Sequence, residues 1–154
     1  MSTRDHIEDF LSQKRLAVVG VSRDPQDFTR VVFREFAWRG YDVVPVNPNL
    51  SEVEGRTCYR LVQDISPPVD GALLMTQPRV TDQVVQDCAA AGIQRIWMHR
   101  ASGQGAVSRS AIEFCEAHHM HVVPGECPFM FLPKTAFFHR LHGVIKKITG
   151  TYPH

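Results

Sequence analysis

Five short apolar runs alternate along the chain with longer amphipathic segments. The runs are rich in β-branched residues: LAVVG (16–20), DVVPV (42–46), GALLM (71–75), RIWM (95–98) and HVVP (121–124). Continuous apolar runs of this length are typical of strands covered on both faces, as in a parallel sheet. Their alternation with helix-length segments predicts a doubly wound α/β fold with a mainly parallel sheet of five to six strands.

Three segments between these runs have helical periodicity. The first runs from a cap at Asp27 or Thr29 to a stop at Gly40, with an apolar face formed by Phe28, Val32 and Phe36. The second ends at Gly92, with Val80, Val84, Cys88 and Ala91 on one face. Ser110 and Glu113 have capping-box spacing, which predicts that a third helix starts there. Residues 5–13 are predicted to form a further short helix.

Two regions are less regular. Residues 47–70 contain three prolines and one glycine, which predicts a mostly irregular segment with a short strand at 57–59. At the other end, an apolar stripe predicts a helical extension from Pro133 to about residue 150. We expect that helix to cover the sheet; a dimer surface and a membrane-surface helix are the alternatives.

Length, charge and cysteine content narrow the class of protein. The 154 residues fit one domain, 1–154, and the net charge of +1 does not indicate a nucleic-acid-binding surface. No apolar run approaches the roughly 18 residues of a membrane span. The N-terminus lacks the apolar segment of a signal peptide, and the four cysteines are widely spaced. We therefore expect free thiols, a reducing compartment and a cytoplasmic protein.

The residues after each strand are the candidate ligand contacts, because open α/β sheets bind ligands beyond the carboxyl ends of their strands. They are Gly20, Val21, Ser22, Arg23 and Pro25; Val46, Asn47 and Pro48; Thr76, Gln77 and Pro78; and His99 and Cys127. Their donors favour an anionic ligand. We expect Ser22 and nearby amides to cradle a phosphate at the next helix N-terminus, where Arg23 and Arg30 pair with its oxygens. The alternative to phosphate binding is that both arginines are solvated surface charges.

Asn47 follows the second strand, where enzymes that use NAD place an acid to hold the ribose. A carboxylate there would repel a phosphate on the ribose, whereas Asn47 can donate a hydrogen bond to one. NADP and coenzyme A both carry such a phosphate. Arg23 to Pro25 replace the glycines of the dinucleotide loop, and Pro25 has no amide hydrogen to offer a pyrophosphate, which favours coenzyme A.

Several short motifs share an order with a known family. GVSRDP, GYDVVPVNP, CYRLVQDI, PPVDGALLMTQP, AGIQRIWMH and CP succeed one another between about residues 16 and 128. In this order they resemble the small stand-alone CoA-binding domain proteins, which are similar to the CoA-binding domain of the succinyl-CoA synthetase α-subunit. The segment WMHRASGQG differs from this family, whose members usually have a glutamine and a shorter loop after the tryptophan.

The resemblance implies a Rossmann-like sheet in which the strand at 57–59 flanks the second strand and the strand at 71–75 lies beside the first. It also implies that the ADP moiety lies over the first loop. The adenine would then lie near Val46–Pro48, and the pantetheine arm would run past Thr76–Pro78.

Chemistry beyond binding has weaker support in the sequence. The synthetase acts through a phosphorylated histidine in a second domain, for which a chain of this length has no room. We expect no metal site: His118, His119 and His121 lie at one junction, and His139 and His142 form only a partial set. Cys127 lies beside Glu126, whose charge disfavours a reactive thiolate.

The leading interpretation is a non-catalytic protein that binds CoA or acyl-CoA, as a sensor or as the partner of another enzyme. Two alternatives stay open. One is an NADP-binding or acyl-CoA-transforming enzyme that uses His99 or Cys127, and the other is an interaction module that has lost its ligand. A homodimer and a complex with a separate enzyme are both compatible with the sequence.

Overall fold

The computed structural model describes residues 2–101 and 103–132. Seven strands and four α-helices follow one another in these residues: α1 (Thr3–Leu11), β1 (Arg15–Val19), α2 (Phe28–Trp38), β2 (Asp42–Val46), β3 (Glu52–Val53), β4 (Arg56–Thr57), β5 (Gly71–Leu74), α3 (Pro78–Ala90), β6 (Arg95–His99), α4 (Arg109–Ala117) and β7 (His121–Glu126). Single 3-10 turns lie at Val62–Asp64 and Pro128–Met130.

Five strands form one parallel sheet in the order β2-β1-β5-β6-β7. The order runs outward from β1 in both directions, which makes the sheet doubly wound, as the sequence predicts. All five apolar runs lie within a residue or two of the observed strands. The strand formed by the fifth run, β7, is one edge of the sheet, and β2 is the other.

Helices cover both faces of the sheet, and each face has its own core. On one face, Ile7 and Phe10 of α1 and Phe33 of α2 pack on the alternate strand residues that include Leu73 and Trp97. On the other face, five residues of α3 and α4 pack on the intervening strand positions. These helix residues are Val84, Val85, Cys88, Ala111 and Cys115. Burial on both faces explains why the strands read as continuous apolar runs.

The helix predictions are right in position but wrong in some details. Phe28 and Val80 lie in the first turns of their helices, are 43% and 44% exposed, and do not belong to the buried faces. Asp27 caps α2, as one of the two predictions has it. The cap of α4 is Ser108 rather than Ser110, since the Ser108 hydroxyl accepts a hydrogen bond from the Ala111 amide at 3.2 Å.

The segment after β2 contains a hairpin that the sequence reading missed. Strands β3 and β4 pair in an antiparallel way around a two-residue turn, Glu54-Gly55. Both turn residues have positive φ, 52° and 75°, as hairpin turns of the I′ type require. After the hairpin, Tyr59 forms an isolated parallel bridge with Val46, so this segment flanks β2 as the resemblance implies, although the strand expected at 57–59 is reduced to this one bridge.

The predicted helix at 133–150 lies outside the described residues. Within residues 2–101 and 103–132, no helix has the length and apolar character needed to cross a membrane.

Candidate functional site

The carboxyl ends of β1 and β5 meet at the point where the strand order reverses. The Met75 amide donates to the Val19 carbonyl at 2.8 Å, which joins the two loops that leave these strands. Reversal of strand order opens a crevice, and ligands of doubly wound sheets bind in it. Most of the predicted contact residues lie around this crevice.

Gly20 makes the close approach of these loops possible. It has a φ of 96°, and a Cβ at this position would lie 2.6 Å from the Met75 carbonyl oxygen. Its amide donates to the Val46 carbonyl at 3.0 Å. Only glycine meets both the conformational and the steric requirement here.

The loop after Gly20 is ordered by its own hydrogen bonds. The Ser22 amide donates to the Thr29 hydroxyl at 2.9 Å, and the Ser22 hydroxyl accepts from the Asp24 amide at 3.0 Å. The hydrogen of the Ser22 hydroxyl has no acceptor among the described residues. A donor of this kind on a pre-ordered loop suits a phosphate oxygen.

The N-terminus of α2 is less suited to a phosphate than the sequence reading expects. The Asp27 carboxylate accepts hydrogen bonds from the Thr29 hydroxyl at 2.7 Å and from the Thr29 amide at 2.9 Å. These bonds lower the pKa of Asp27, so it is charged at neutral pH. An anion at this helix end would face that charge. The outer side of the loop, with Ser22 and the exposed Arg23, is the better location for a phosphate.

Arg30 is buried and holds the loop in place. Its Nε donates to Glu54 at 3.0 Å, and its Nη1 donates to the carbonyls of Ser22 and Arg23 at 3.2 and 3.3 Å. The Glu54 carboxylate also accepts from Arg34 at 2.9 Å. Direct pairing of Arg30 with a phosphate stays a prediction. In this structure Arg30 holds the loop by donating hydrogen bonds to two of its carbonyl groups.

Glu54 is the residue of this region that the sequence reading missed. Burial alone would raise the pKa of its carboxyl group, but the hydrogen bonds from Arg30 and Arg34 hold that pKa below its ordinary value. The positive φ of Glu54 is uncommon for a residue other than glycine. Gly55 was the available signal, since two-residue hairpin turns favour a glycine at positive φ.

Asn47 ties the second loop to the first. Its amide nitrogen donates to the Val21 carbonyl at 2.8 Å, and its side-chain oxygen accepts from the Asn49 amide at 2.7 Å. One amide hydrogen remains for a ribose phosphate, so that role also stays a prediction. Val46 is buried, whereas Pro48 is exposed beside the crevice.

A pocket of about 300 Å³ opens beside the crevice. Nine residues line it: Phe28, Thr29, Met75, Thr76, Gln77, Pro78, His99, Gly105 and Ala106. The three residues predicted to guide the pantetheine arm, Thr76 to Pro78, therefore form one wall. The Thr76 hydroxyl is fixed by a 2.6 Å hydrogen bond to the hydroxyl of the buried Thr81.

His99 forms another part of the wall and is 8% exposed. Its Nε2 atom is buried without a hydrogen-bond partner among the described residues. Its ring lies against that of Phe28, with 5.6 Å between the centroids. Burial lowers the pKa of His99, so the imidazole is neutral at physiological pH.

The cysteines are all free, and none is activated. Burial raises the pKa of Cys127 and of Cys58, which both lie near the carboxyl edge, and it raises the pKa of Cys115 to about 12. The histidines at the α4–β7 junction lie at the opposite edge of the sheet, and His121 stacks on His6. Within the part of the chain that the structure describes, no group of three His, Cys, Asp or Glu side chains is arranged to hold a metal ion. His139 and His142 lie outside it.

Known proteins share both the sequence and the fold of this chain. Residues 14–133 match the family described as CoA binding domain. The chain is 29% identical over 91 residues to the acetate–CoA ligase (ADP-forming) II subunit alpha of Pyrococcus furiosus, across 58% of this chain and 20% of that protein. It thus spans about a fifth of that relative's length. It is also 24% identical to YneT of Bacillus subtilis, across 81% of this chain and 90% of that protein.

Two solved structures have a similar fold. A hypothetical protein from Pyrococcus horikoshii OT3 has a TM-score of 0.76 and 28% identity, and the match covers 84% of this chain and 89% of that one. The dinucleotide-forming acetyl-coenzyme A synthetase 1 of Ca. Korarchaeum cryptofilum, in complex with phosphate and ADP, has a TM-score of 0.63 and 26% identity, across 75% of this chain and 26% of that one. Since the family match covers most of its residues, this protein belongs to the CoA binding domain family.

Proposed function

We propose that this protein binds coenzyme A or an acyl-CoA at the carboxyl edge of its sheet and does not transform it. The observation that carries the proposal is the pocket at the β1–β5 crevice, walled by Thr76, Gln77 and Pro78. Family membership supplies the class of ligand. The pocket supplies a place for the uncharged pantetheine arm of that ligand.

The residues at this edge fit the two ends of such a ligand. The Ser22 hydroxyl and the exposed Arg23 provide donors for phosphate oxygens, and the ribose and adenine would lie by Val46–Pro48. The pocket, whose lining contains no charged side chain among the described residues, suits the pantetheine arm. The unpartnered Nε2 of His99 is a polar contact that the end of this arm would satisfy.

Binding without catalysis is favoured by the state of the reactive groups. A nucleophilic cysteine needs a lowered pKa, whereas burial raises the pKa of Cys127. The structure shows no hydrogen bond between Cys127 and His99 among the described residues, although a nucleophile and its base need one. The acetate–CoA ligase subunit carries this domain within a longer chain, so we propose that a separate protein in the cytoplasm uses the ligand that this protein binds.

A thermal-shift panel tests the ligand assignment. At about 100 times its dissociation constant, CoA adds roughly 2.7 kcal/mol to the free energy of unfolding. For a domain of this size that raises Tm by about 5–10 °C. Dephospho-CoA should give a smaller shift, and NAD and NADP should give little. An NADP shift as large as that of CoA, or none with millimolar CoA, would contradict the proposal.

Two matched variants test the location of the phosphate. Arg23→Ala removes an exposed cation from the loop and should weaken CoA binding about tenfold, the loss of a charge-assisted hydrogen bond. Lys14→Ala removes an exposed cation at the opposite edge of the sheet and should leave the affinity unchanged. Equal affinities for the two variants in titration calorimetry would move the phosphate away from this loop.

A further inference from the structure

His99 carries a polar atom that the protein itself leaves unsatisfied. The residue is 8% exposed, and its Nε2 has no hydrogen-bond partner among the described residues. Buried polar groups of folded proteins nearly always have a partner, because an unsatisfied one lowers stability. A ligand atom is one way to supply that partner.

The imidazole is held in position at the pocket. The His99 carbonyl accepts a hydrogen bond from the Ala106 amide at 2.8 Å, and its ring packs against Phe28, which packs edge-on against Phe129. Phe28 is 43% exposed and lines the same pocket as His99.

We infer that His99 selects the acyl form of the ligand by donating a hydrogen bond from Nε2 to the carbonyl oxygen of a short acyl thioester. The inference rests on the proposed function and adds the chemistry of the group at the end of the arm. A neutral imidazole has one N–H donor, a thioester carbonyl accepts it, and a free thiol is only a weak acceptor. The pocket volume of about 300 Å³ is at the low end for small-molecule sites, which suits a short acyl group.

Titration calorimetry with CoA, acetyl-CoA and decanoyl-CoA tests this inference. Acetyl-CoA should bind the wild-type protein about tenfold more tightly than CoA, which corresponds to about 1.4 kcal/mol. Decanoyl-CoA should bind more weakly than acetyl-CoA. Equal affinities for CoA and acetyl-CoA would overturn the inference and leave CoA binding intact. If neither ligand bound, the proposed function itself would fail, and the inference with it.

Three variants separate a specific contact from a structural role. In His99→Leu the preference for acetyl-CoA should fall to about one, whereas His99→Gln keeps a donor and should retain most of it. Replacement of an unsatisfied polar group by leucine should not reduce stability. His118→Leu, which removes an exposed histidine at the other edge of the sheet, should leave the preference at tenfold. An unchanged preference in His99→Leu would overturn the assignment.

Discussion

The contact between Glu54 and Arg30 joins the β3–β4 hairpin to the loop that follows β1. Arg30 has only 10% of its side chain exposed and Glu54 has 27%, so water screens this ion pair weakly. Glu54→Gln keeps the shape of the side chain and removes its charge. Two arginines then lose a charged acceptor, Arg30 and Arg34.

The expected cost follows from the hydrogen bonds involved. Hydrogen bonds to a charged group contribute about 1.5–3 kcal/mol, and the partial exposure of Glu54 favours the lower part of this range. We therefore expect Glu54→Gln to lower the free energy of unfolding by about 2 kcal/mol at neutral pH. In a domain of this size the Tm then falls by about 4–8 °C.

The effect should depend on pH with a definite sign. The pKa of Glu54 is lowered in the folded protein, so its stabilising contribution is present above the pKa of the unfolded chain. That contribution is lost as the pH falls through the folded-state pKa. The difference between the wild-type protein and Glu54→Gln should therefore shrink in acid.

Urea denaturation at several pH values measures both quantities. Glu52→Gln is the matched control, because Glu52 is an exposed carboxylate of the same hairpin with no ion pair among the described residues. Its effect should stay within about 0.5 kcal/mol. A Glu54→Gln protein as stable as the wild type at neutral pH, or a difference that does not change with pH, would refute the reasoning.

Two further substitutions test the first loop. Ser22→Asp places a negative charge where we expect a phosphate and should weaken CoA binding by one to two decades, far more than Ser22→Ala; equal affinities in calorimetry would exclude Ser22 as a phosphate contact. Gly20→Ala forces a Cβ to within 2.6 Å of the Met75 carbonyl oxygen and should cost about 1–3 kcal/mol in urea denaturation, whereas Gly40→Ala, with an equally positive φ but no atom within 4 Å, should cost less. Equal costs would mean that strain in φ, rather than the close approach, sets the requirement.

The strands and the location of the pocket could be predicted because each depends on local sequence. A run such as GALLM is apolar at every position, which favours a strand covered on both faces, and Thr76–Pro78 follow the strand end where sheets of this class bind ligands. Phe28 shows the limit of the periodicity argument. It has the spacing of the buried face of α2, but it lies in the first turn of the helix, where it is exposed and lines the pocket.

The partners of the polar side chains could not be predicted, because they depend on tertiary proximity. Arg30 and Glu54 are 24 residues apart, and Asn47 and Val21 are 26 residues apart. In sequence each reads as a free donor that faces a phosphate. In the structure Arg30 and Asn47 both have partners within the protein, which leaves one Asn47 amide hydrogen, the Ser22 hydroxyl and the exposed Arg23 as donors for a ligand.

This division of roles bears on the kind of ligand that the edge can accept. One part is a polar loop whose shape is fixed by Arg30 and Asn47 before any ligand arrives, and the other is a pocket without charged side chains among the described residues. NADP and coenzyme A both carry a pyrophosphate, and they differ in the group that follows it: a second ribose with the nicotinamide ring in NADP, and the pantetheine arm in coenzyme A. A nucleotide with a long uncharged arm places its phosphates on the loop and its arm in the pocket. The loop and the pocket together therefore suit the coenzyme A that we propose as the ligand.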